Sequence, residues 1–241
     1  MSLPVAILAG GLARRLRPLT ERVPKILLDI GGRSFAEHQI DRLRRAGVDR
    51  VVYCLGYLGE QVARFLGDGS RWQMTFSYVF DGDRPLGTGG ALRLAVPLLG
   101  SAFFVMYGDS YLECDFGAVE RAFRTSEKPG LMTVFRNENQ WDRSNVAYER
   151  GRIIRYDKTG TDPTMQHIDY GLGILTPEAF DADLPEAGVL DLAVVYQRLI
   201  ARGALAGYEV HERFYEIGSL QGLEELRAKL GPHSDARPLA E

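Results

Sequence analysis

VAILAGGLARRLRPLTERVPK, Val5 to Lys25, decides how this chain is read. Its first five residues form a continuous apolar run of strand length without alternation, the pattern of a strand buried on both faces. The run breaks at Gly10 and Gly11 into a long loop that carries Arg14, Arg15, Arg17 and Lys25. Paired glycines admit close backbone approach and positive φ, and successive exposed amides form an anion-binding nest. Arg15 adds a forked, permanently charged clamp. A buried strand that ends in such a loop points to an anionic ligand at the edge of a sheet. The loop contains neither the GxxxxGK[ST] phosphate motif nor the GxGxxG dinucleotide fingerprint, which disfavours a Rossmann dehydrogenase.

Outward from this loop, apolar runs alternate with helical patterns. Strands are predicted at Val51–Leu55, Met74–Phe80, Phe103–Tyr107 and Leu131–Phe135. A capping box, Ser34-Phe35-Ala36-Glu37, opens a helix with Ala36, Ile40, Leu43 and Gly47 on one face, and Gly47 ends it. Further helices are expected over Glu60–Leu66, from Gly90 as far as Pro97, and around Phe116, Val119 and Phe123. This alternation predicts an α/β fold: a Rossmann-like, mostly parallel sheet with helices on both faces. Ligands then bind outside the carboxyl ends of the strands, so the loops after Ala9, Leu55, Phe80 and Tyr107 are the ones to inspect. After Arg136 the texture changes. A hairpin over Asn145–Glu149 and Arg152–Tyr156, a long strand His167–Leu175, a helix capped by Asp191, a strand Leu205–Val210 and a helix capped by Ser219 predict a smaller mixed lobe. With no linker between the halves, residues 1–230 are expected to form one domain, and the tail from Gly231 to Glu241 to be disordered.

Composition narrows the function classes. The chain has 241 residues, 45% hydrophobic and 25% charged, ordinary for a globular protein. No apolar run would span a bilayer and no signal-peptide pattern precedes Val5, so a soluble cytoplasmic protein without a membrane partner is expected. A net charge of −3 argues against a nucleic-acid partner. Cys54 and Cys114 lie in or beside apolar runs and read as small core residues. Of 29 Lys and Arg residues only four are lysines, Lys25, Lys128, Lys158 and Lys229, so a lysine here hints at a chemical requirement.

Further segments carry candidate chemistry. Arg84-Pro85-Leu86-Gly87-Thr88-Gly89-Gly90-Ala91 puts glycines ahead of a helix, leaving room for a flat ligand against backbone amides. Tyr107-Gly108-Asp109-Ser110 places a carboxylate after the most apolar strand, where it can hold Mg²⁺ through oxygen. Asp157-Lys158 follows the hairpin, and Phe214-Tyr215-Glu216-Ile217-Gly218-Ser219 sets another acid before a helix.

In this order the segments resemble the sugar-1-phosphate nucleotidyltransferases, from Val5 to about Leu230. LAGGLARRLRPLTERVPK looks like the family's signature loop, and LGYLGEQVARFLGDGS, PLGTGGAL, YGDS, DK, DYGLGILTPEAF and YEIGS follow in the family's sequence. The resemblance implies the nucleotide-diphospho-sugar transferase fold, with residues 1–136 mainly binding nucleotide and 137–230 mainly binding sugar. It implies that Leu8, Ala9, Gly10, Gly11, Arg15, Gly87 and Thr88 bind the nucleotide and that Arg15 and Lys25 act in catalysis. It assigns Gly89, Asp109, Lys158, Asp169 and Gly171 to the sugar phosphate, and Asp109 with Glu216 to Mg²⁺. The partners implied are a nucleoside triphosphate and a sugar 1-phosphate; dimers and tetramers occur among relatives, which leaves a homo-oligomer open. Departures are Ala13 where the family has a third glycine, Arg14 where it has Thr, Glu216 where Asp is usual and Asp169 where Asn is common.

The implied reaction converts NTP and sugar 1-phosphate to NDP-sugar and pyrophosphate. The attacking phosphate oxygen is already anionic, so no general base is required. His38, His167, His211 and His233 accordingly read as structural or solvated. PLGTGGAL and the chain length are most similar to enzymes activating mannose-, heptose- or N-acetylmuramate 1-phosphate, with GTP and a manno-configured sugar favoured and UTP next. A cytidylyltransferase acting on a non-sugar phosphate and an inactive, nucleotide-sugar-binding regulatory subunit are the alternatives. No hexapeptide repeat indicates an appended β-helix.

Overall fold

The computed structural model describes residues 2–159, 162–180, 184 and 188–231. Of the tail expected to be disordered, Gly231 is among the described residues, and residues 232–241, His233 included, lie outside them.

The chain begins with β1 (Val5–Ala9), a small hairpin of β2 (Asp29–Ile30) and β3 (Arg33–Ser34), and α1 (Phe35–Arg45). Then come β4 (Arg50–Leu55), α2 (Gly59–Leu66), β5 (Thr75–Phe80), α3 (Gly87–Leu99), β6 (Phe103–Tyr107) and β7 (Ser110–Tyr111). They are followed by α4 (Phe116–Ser126), β8 (Gly130–Arg136), the hairpin β9 (Val146–Glu149) and β10 (Arg152–Tyr156), and β11 (His167–Leu175). The last elements are α5 (Leu192–Ala201), β12 (Leu205–Val210), β13 (Tyr215–Glu216) and α6 (Leu220–Leu230).

Nine strands form one sheet in the order β5-β4-β1-β6-β11-β8-β12-β10-β9. The first four are parallel, as fully apolar strands joined by helices require. Beyond β6 the sheet is mixed: β11 runs antiparallel to both β6 and β8, while β12 returns parallel to β8. The second half of the chain therefore extends the first sheet, and β11 inserts between two strands of the first half.

Side chains of β1 alternate between two cores. Val5 and Ile7 face α1, α2, α4 and α6, whereas Ala6 and Leu8 face α3 and α5. Each fully buried Ile, Leu or Phe contributes about 1.5–3 kcal/mol of transfer free energy. Cys54 and Cys114 are buried, and burial pushes each thiol up to about 12. Among the described residues no helix is long and apolar enough to cross a membrane.

Helix starts follow the capping chemistry. Ser34 and Glu37 form the reciprocal capping box of α1, and Asp191 and Ser219 accept the N–H groups of Ala193 and Gly222. Gly47 ends α1 as expected, at φ 78°, but it lies past the helix's last residue and so is not part of its buried face. The third helix starts at Gly87, ahead of the expected Gly90, and continues through Pro97 to Leu99. Proline is tolerated there, where only the last turn loses a backbone donor.

Candidate active site

A cavity of about 550 Å³ opens at the carboxyl ends of the parallel strands, a size that suits a small organic ligand. It is walled by Leu8 and Ala9 at the end of β1, by Gly10 and Gly11 after it, by Gly87 and Thr88 at the start of α3, and by Lys25, Tyr107 and Asp109. The signature loop supplies close approach through Gly10, where a Cβ would lie 3.2 Å from the amide nitrogen of Gly56. A Cβ on Gly11 would stand in open space. Neither glycine takes positive φ. That conformation falls on Ala13 (φ 46°, ψ 40°), whose carbonyl accepts the Thr20 hydroxyl at 2.9 Å. The expectation that Gly10 and Gly11 supply positive φ is thus corrected: the turn is made two residues after Gly11, by a residue with a Cβ.

Lys25 Nζ donates to Asp109 Oδ2 at 2.6 Å across 84 residues of sequence. Backbone pairing then brings in Glu216. Strands β7 and β13 are antiparallel, with Glu216 opposite Ser110 and Tyr215 opposite Tyr111, and the Ile217 amide donates to the Asp109 carbonyl at 2.9 Å. The Glu216 carboxyl is raised above its usual range by burial first and by the Asp109 charge second, partly offset by Arg15 and Lys25. The Arg15 guanidinium reaches the same place: a Cβ added to Gly218 would meet both the Glu216 carboxylate and, at 2.9 Å, Arg15 Nη2. Beneath them, a Cβ on Gly222 would strike the Glu216 carbonyl, so the start of α6 seats β13.

Asp109 and Glu216 are a pair of carboxylates with like charge held side by side. Among the described residues no cluster of three or more potential ligands occurs. A pair suits Mg²⁺, which keeps water or substrate phosphates in its remaining positions and commonly takes only one or two protein carboxylates. The raised Glu216 carboxyl is consistent with a place where a cation is wanted.

Of the residues expected to hold the sugar phosphate, Asp109 lines the cavity, whereas Lys158, Asp169 and Gly171 stand outside its wall, on the second-half side. Lys158 Nζ donates to Asp191 Oδ2 at 2.6 Å, and Asp191 also caps α5 and accepts the Thr88 hydroxyl at 3.3 Å. Burial alone would raise the Asp191 carboxyl; Lys158, the Ala193 amide and Thr88 together hold it below the ordinary value. Asp169 accepts hydroxyls of Tyr107 and Tyr156, both at 3.3 Å, and the Gly171 amide at 3.0 Å. Gly171 has φ 92° where the β8–β11 register shifts, and a Cβ there would lie 3.1 Å from Ser110 Oγ.

Gly89 departs from the expected arrangement. Its amide, like that of Gly90, donates to the Leu190 carbonyl, and a Cβ on it would press on Leu190, Asp191 and Leu192. These amides therefore serve helix packing and do not face a flat ligand; Gly87 and Thr88 alone of the segment's glycine run line the cavity with Pro85 and Ala91. Arg15 and Glu216 stand at the rim, beyond the lining residues. Cys54, read from the sequence as a core residue, also lines the cavity, as do Tyr57 and Asp81, which the sequence reading did not single out within the loops after Leu55 and Phe80. Position in the fold points to these loops, since each follows a parallel strand, but no motif marks the two residues within them. His38 is buried with Nε2 2.8 Å from the Ile30 carbonyl, His167 lies 3.4 Å from Glu209, and neither lines the cavity.

Residues 5–226 match the family described as Nucleotidyl transferase. The chain belongs to that family and is a nucleotidyltransferase enzyme. It is 29% identical over 231 residues to the N-acetylmuramate alpha-1-phosphate uridylyltransferase of Neisseria meningitidis serogroup B, covering 93% of this chain and 97% of that one. It is 32% identical over 185 residues to mannose-1-phosphate guanyltransferase beta-B of Xenopus laevis, covering 73% of this chain but only 50% of the relative. The fold is shared with a Bacillus anthracis protein assigned as a glucose-1-phosphate thymidylyltransferase, at TM-score 0.83 and 21% identity over 100% of this chain and 98% of that one. It is shared too with HddC from Yersinia pseudotuberculosis complexed with GMP-PN, at TM-score 0.75 and 21% identity over 95% and 100% of the two chains.

Proposed function

We propose that this enzyme joins a nucleoside triphosphate to a sugar 1-phosphate, giving an NDP-sugar and pyrophosphate. The observation that carries this reading is the meeting of Arg15, Lys25, Asp109 and Glu216 at one rim of the cavity. Two polyanions repel one another, so the chemistry needs positioning and charge neutralisation more than proton abstraction. Gly10 and Gly11 would let the triphosphate lie close to the backbone. Arg15 would hold the β- and γ-phosphates that leave as pyrophosphate, and Lys25 would contact oxygens near the α-phosphorus. Lys158 would bind the incoming sugar phosphate, with Asp169 and Gly171 facing the sugar. A phosphate oxygen of the sugar attacks the α-phosphorus in line as the bond to pyrophosphate breaks, and no proton has to move. Mg²⁺, held by Asp109 and Glu216, would supply neutralisation of phosphate charge.

For donor and acceptor we favour GTP and a sugar of manno or manno-heptose type, a choice supported by PLGTGGAL and by the likeness to the Xenopus guanyltransferase. A uridylyltransferase is the second reading, favoured by the Neisseria relative, whose length this chain nearly spans. The test is a matrix of four NTPs against a panel of sugar 1-phosphates, scored by pyrophosphate release with Mg²⁺ and with chelator. Release from at least one pair, abolished by chelator, is expected. Nucleotide binding without release from any pair would instead favour the regulatory subunit.

A further inference from the structure

Strand β13, which brings Glu216 to Asp109, is two residues long. Its pairing with β7 sets the register of Glu216 but not how closely the carboxylate approaches Asp109. Just ahead of it, in the connection from β12, stands Arg213. Its guanidinium carbon lies 3.4 Å from the centre of the Trp141 ring and 4.6 Å from that of the Tyr215 ring. Arg213 Nη2 donates to the Glu225 carboxylate. One side chain therefore joins three pieces: the β8–β9 loop through Trp141, β13 through Tyr215 and α6 through Glu225.

The loop that presents Trp141 is itself firmly built. Asn137, buried just after β8, donates to the Asp142 carbonyl at 2.6 Å and to Ser144 Oγ at 3.2 Å, and its own oxygen accepts the Trp141 amide at 3.2 Å. Trp141 is 42% exposed and belongs to neither core, so its ring serves as a plate for the guanidinium. The tip of the loop also reaches the rim. The Glu216 carboxyl, raised first by burial and then by Asp109, feels the Asp142 charge as well.

The chemistry of this junction is particular to arginine. A planar guanidinium lies flat on an aromatic ring and donates from its edge at the same time, whereas an ammonium is a point charge without a face. Arg213 Nε is buried and meets no acceptor among the described residues. An unpaired buried donor lowers stability, so an apolar side chain would serve packing better. What Arg213 supplies instead is a fixed geometry between the loop and β13.

Resting on the reading of Asp109 and Glu216 as the cation-binding pair, we propose that Arg213 is a positioning residue for Glu216. Stacked on Trp141 and Tyr215, it fixes β13 against the β8–β9 loop and so sets the approach of the second carboxylate to Asp109. The experiment titrates the full chain with Mn²⁺, a paramagnetic probe of a Mg²⁺ site, and counts the free ion by electron paramagnetic resonance, without nucleotide. Melting temperatures are recorded for every variant. Asp109→Asn should abolish binding at the site. Arg213→Lys, which keeps the charge and loses the plane, should weaken it on the order of 10-fold, as loss of a supporting contact behind a metal ligand does. Trp141→Leu, at a half-exposed position that tolerates change, should weaken it similarly, and Trp141→Phe, which restores a flat ring, should bring affinity back to within about 3-fold of the parent. A merely structural role would lower the melting temperature of Arg213→Lys and leave its Mn²⁺ affinity parental, which overturns the inference. Equal losses in Trp141→Phe and Trp141→Leu overturn it too, because stacking would not be the cause. Binding lost in Asp109→Asn but kept in Arg213→Lys sinks this inference alone. No binding in the parent, or binding that Asp109→Asn leaves intact, sinks the cation-pair reading and this inference with it.

Discussion

The two sides of the cavity are built differently. On the first-half side, Lys25 and Asp109 meet at 2.6 Å with side chains 20% and 28% exposed, and backbone pairing between β7 and β13 fixes the second carboxylate beside them. On the second-half side, Lys158 and Asp191 meet at the same distance but at 54% and 45% exposure. An exposed pair of that kind is worth ~0–1 kcal/mol and can be exchanged for a ligand at little cost. On the proposed reading, charge near the reacting phosphorus would thus be preorganised, whereas charge for the acceptor would be held in reserve on Asp191. Catalytic power should depend on the first side and acceptor affinity on the second.

Substitutions can break that contrast. The largest effect is expected from Asp109→Asn, Lys25→Ala and Arg15→Ala, each lowering turnover by ~10²–10³-fold with the fold retained, since each removes preorganised charge stabilisation. Near-parental turnover in all three, in steady-state pyrophosphate assays, would remove the distinction between the sides. Next comes Gly218→Ala. Its methyl group meets the Glu216 carboxylate and the Arg15 guanidinium, and a displacement of about 1 Å costs on the order of 10²-fold. Titration of Mg²⁺ should report weaker binding in this variant; unchanged metal affinity and rate would mean that the rim tolerates movement.

Lys158→Ala should act on the other side alone, raising KM for the sugar phosphate about 10-fold while kcat changes little, as loss of uniform binding does. A fall in kcat with KM unchanged would assign Lys158 to the reacting centre. Asp169 offers a test through pH. Burial holds its carboxyl above the ordinary 3.8, partly offset by the Gly171 amide, the two tyrosine hydroxyls and Lys158. A folded state that binds the proton more tightly than the unfolded chain loses stability as pH rises through the interval between the two pKa values. Asp169→Asn, neutral and of the same shape, should therefore melt higher than the parent at about pH 8, with the gap closing towards about pH 4. A gap independent of pH in thermal scans contradicts this cause. The smallest effect is expected from Ala13→Gly. Relief of a left-handed alanine, ~1–2 kcal/mol, is largely offset by the greater unfolded-state entropy of glycine, so a gain below about 1 kcal/mol should appear in denaturant midpoints.

Much of the fold was legible because its signals are local. Strands β1, β6, β11 and β12 have the expected bounds, and the caps at Ser34, Asp191 and Ser219 start their helices. Their periodicity and capping chemistry are complete within a dozen residues. The insertion of β11 between β6 and β8 was not legible, since both neighbours lie far away in sequence and the choice is made by packing. In the site, the convergence of Arg15, Lys25, Asp109 and Glu216 follows the order of motifs, yet the pairing of Lys158 with Asp191 does not. Asp191 reads as a helix cap, and nothing in a cap sequence reveals a cation arriving from a distant hairpin. Asp81 was passed over for a related reason. An acid in Phe80-Asp81-Gly82-Asp83 looks like turn chemistry until the glycines that flank it in space are known.

Strand β13 is two residues long and the last to be synthesised among the described strands, yet it carries Glu216 to Asp109. A nascent chain that has folded only as far as β12 already possesses the glycine walls, Lys25 and the first carboxylate. It lacks the second carboxylate, which β13 alone brings. The two carboxylates can therefore stand together only once residue 216 has emerged and β13 has docked on β7.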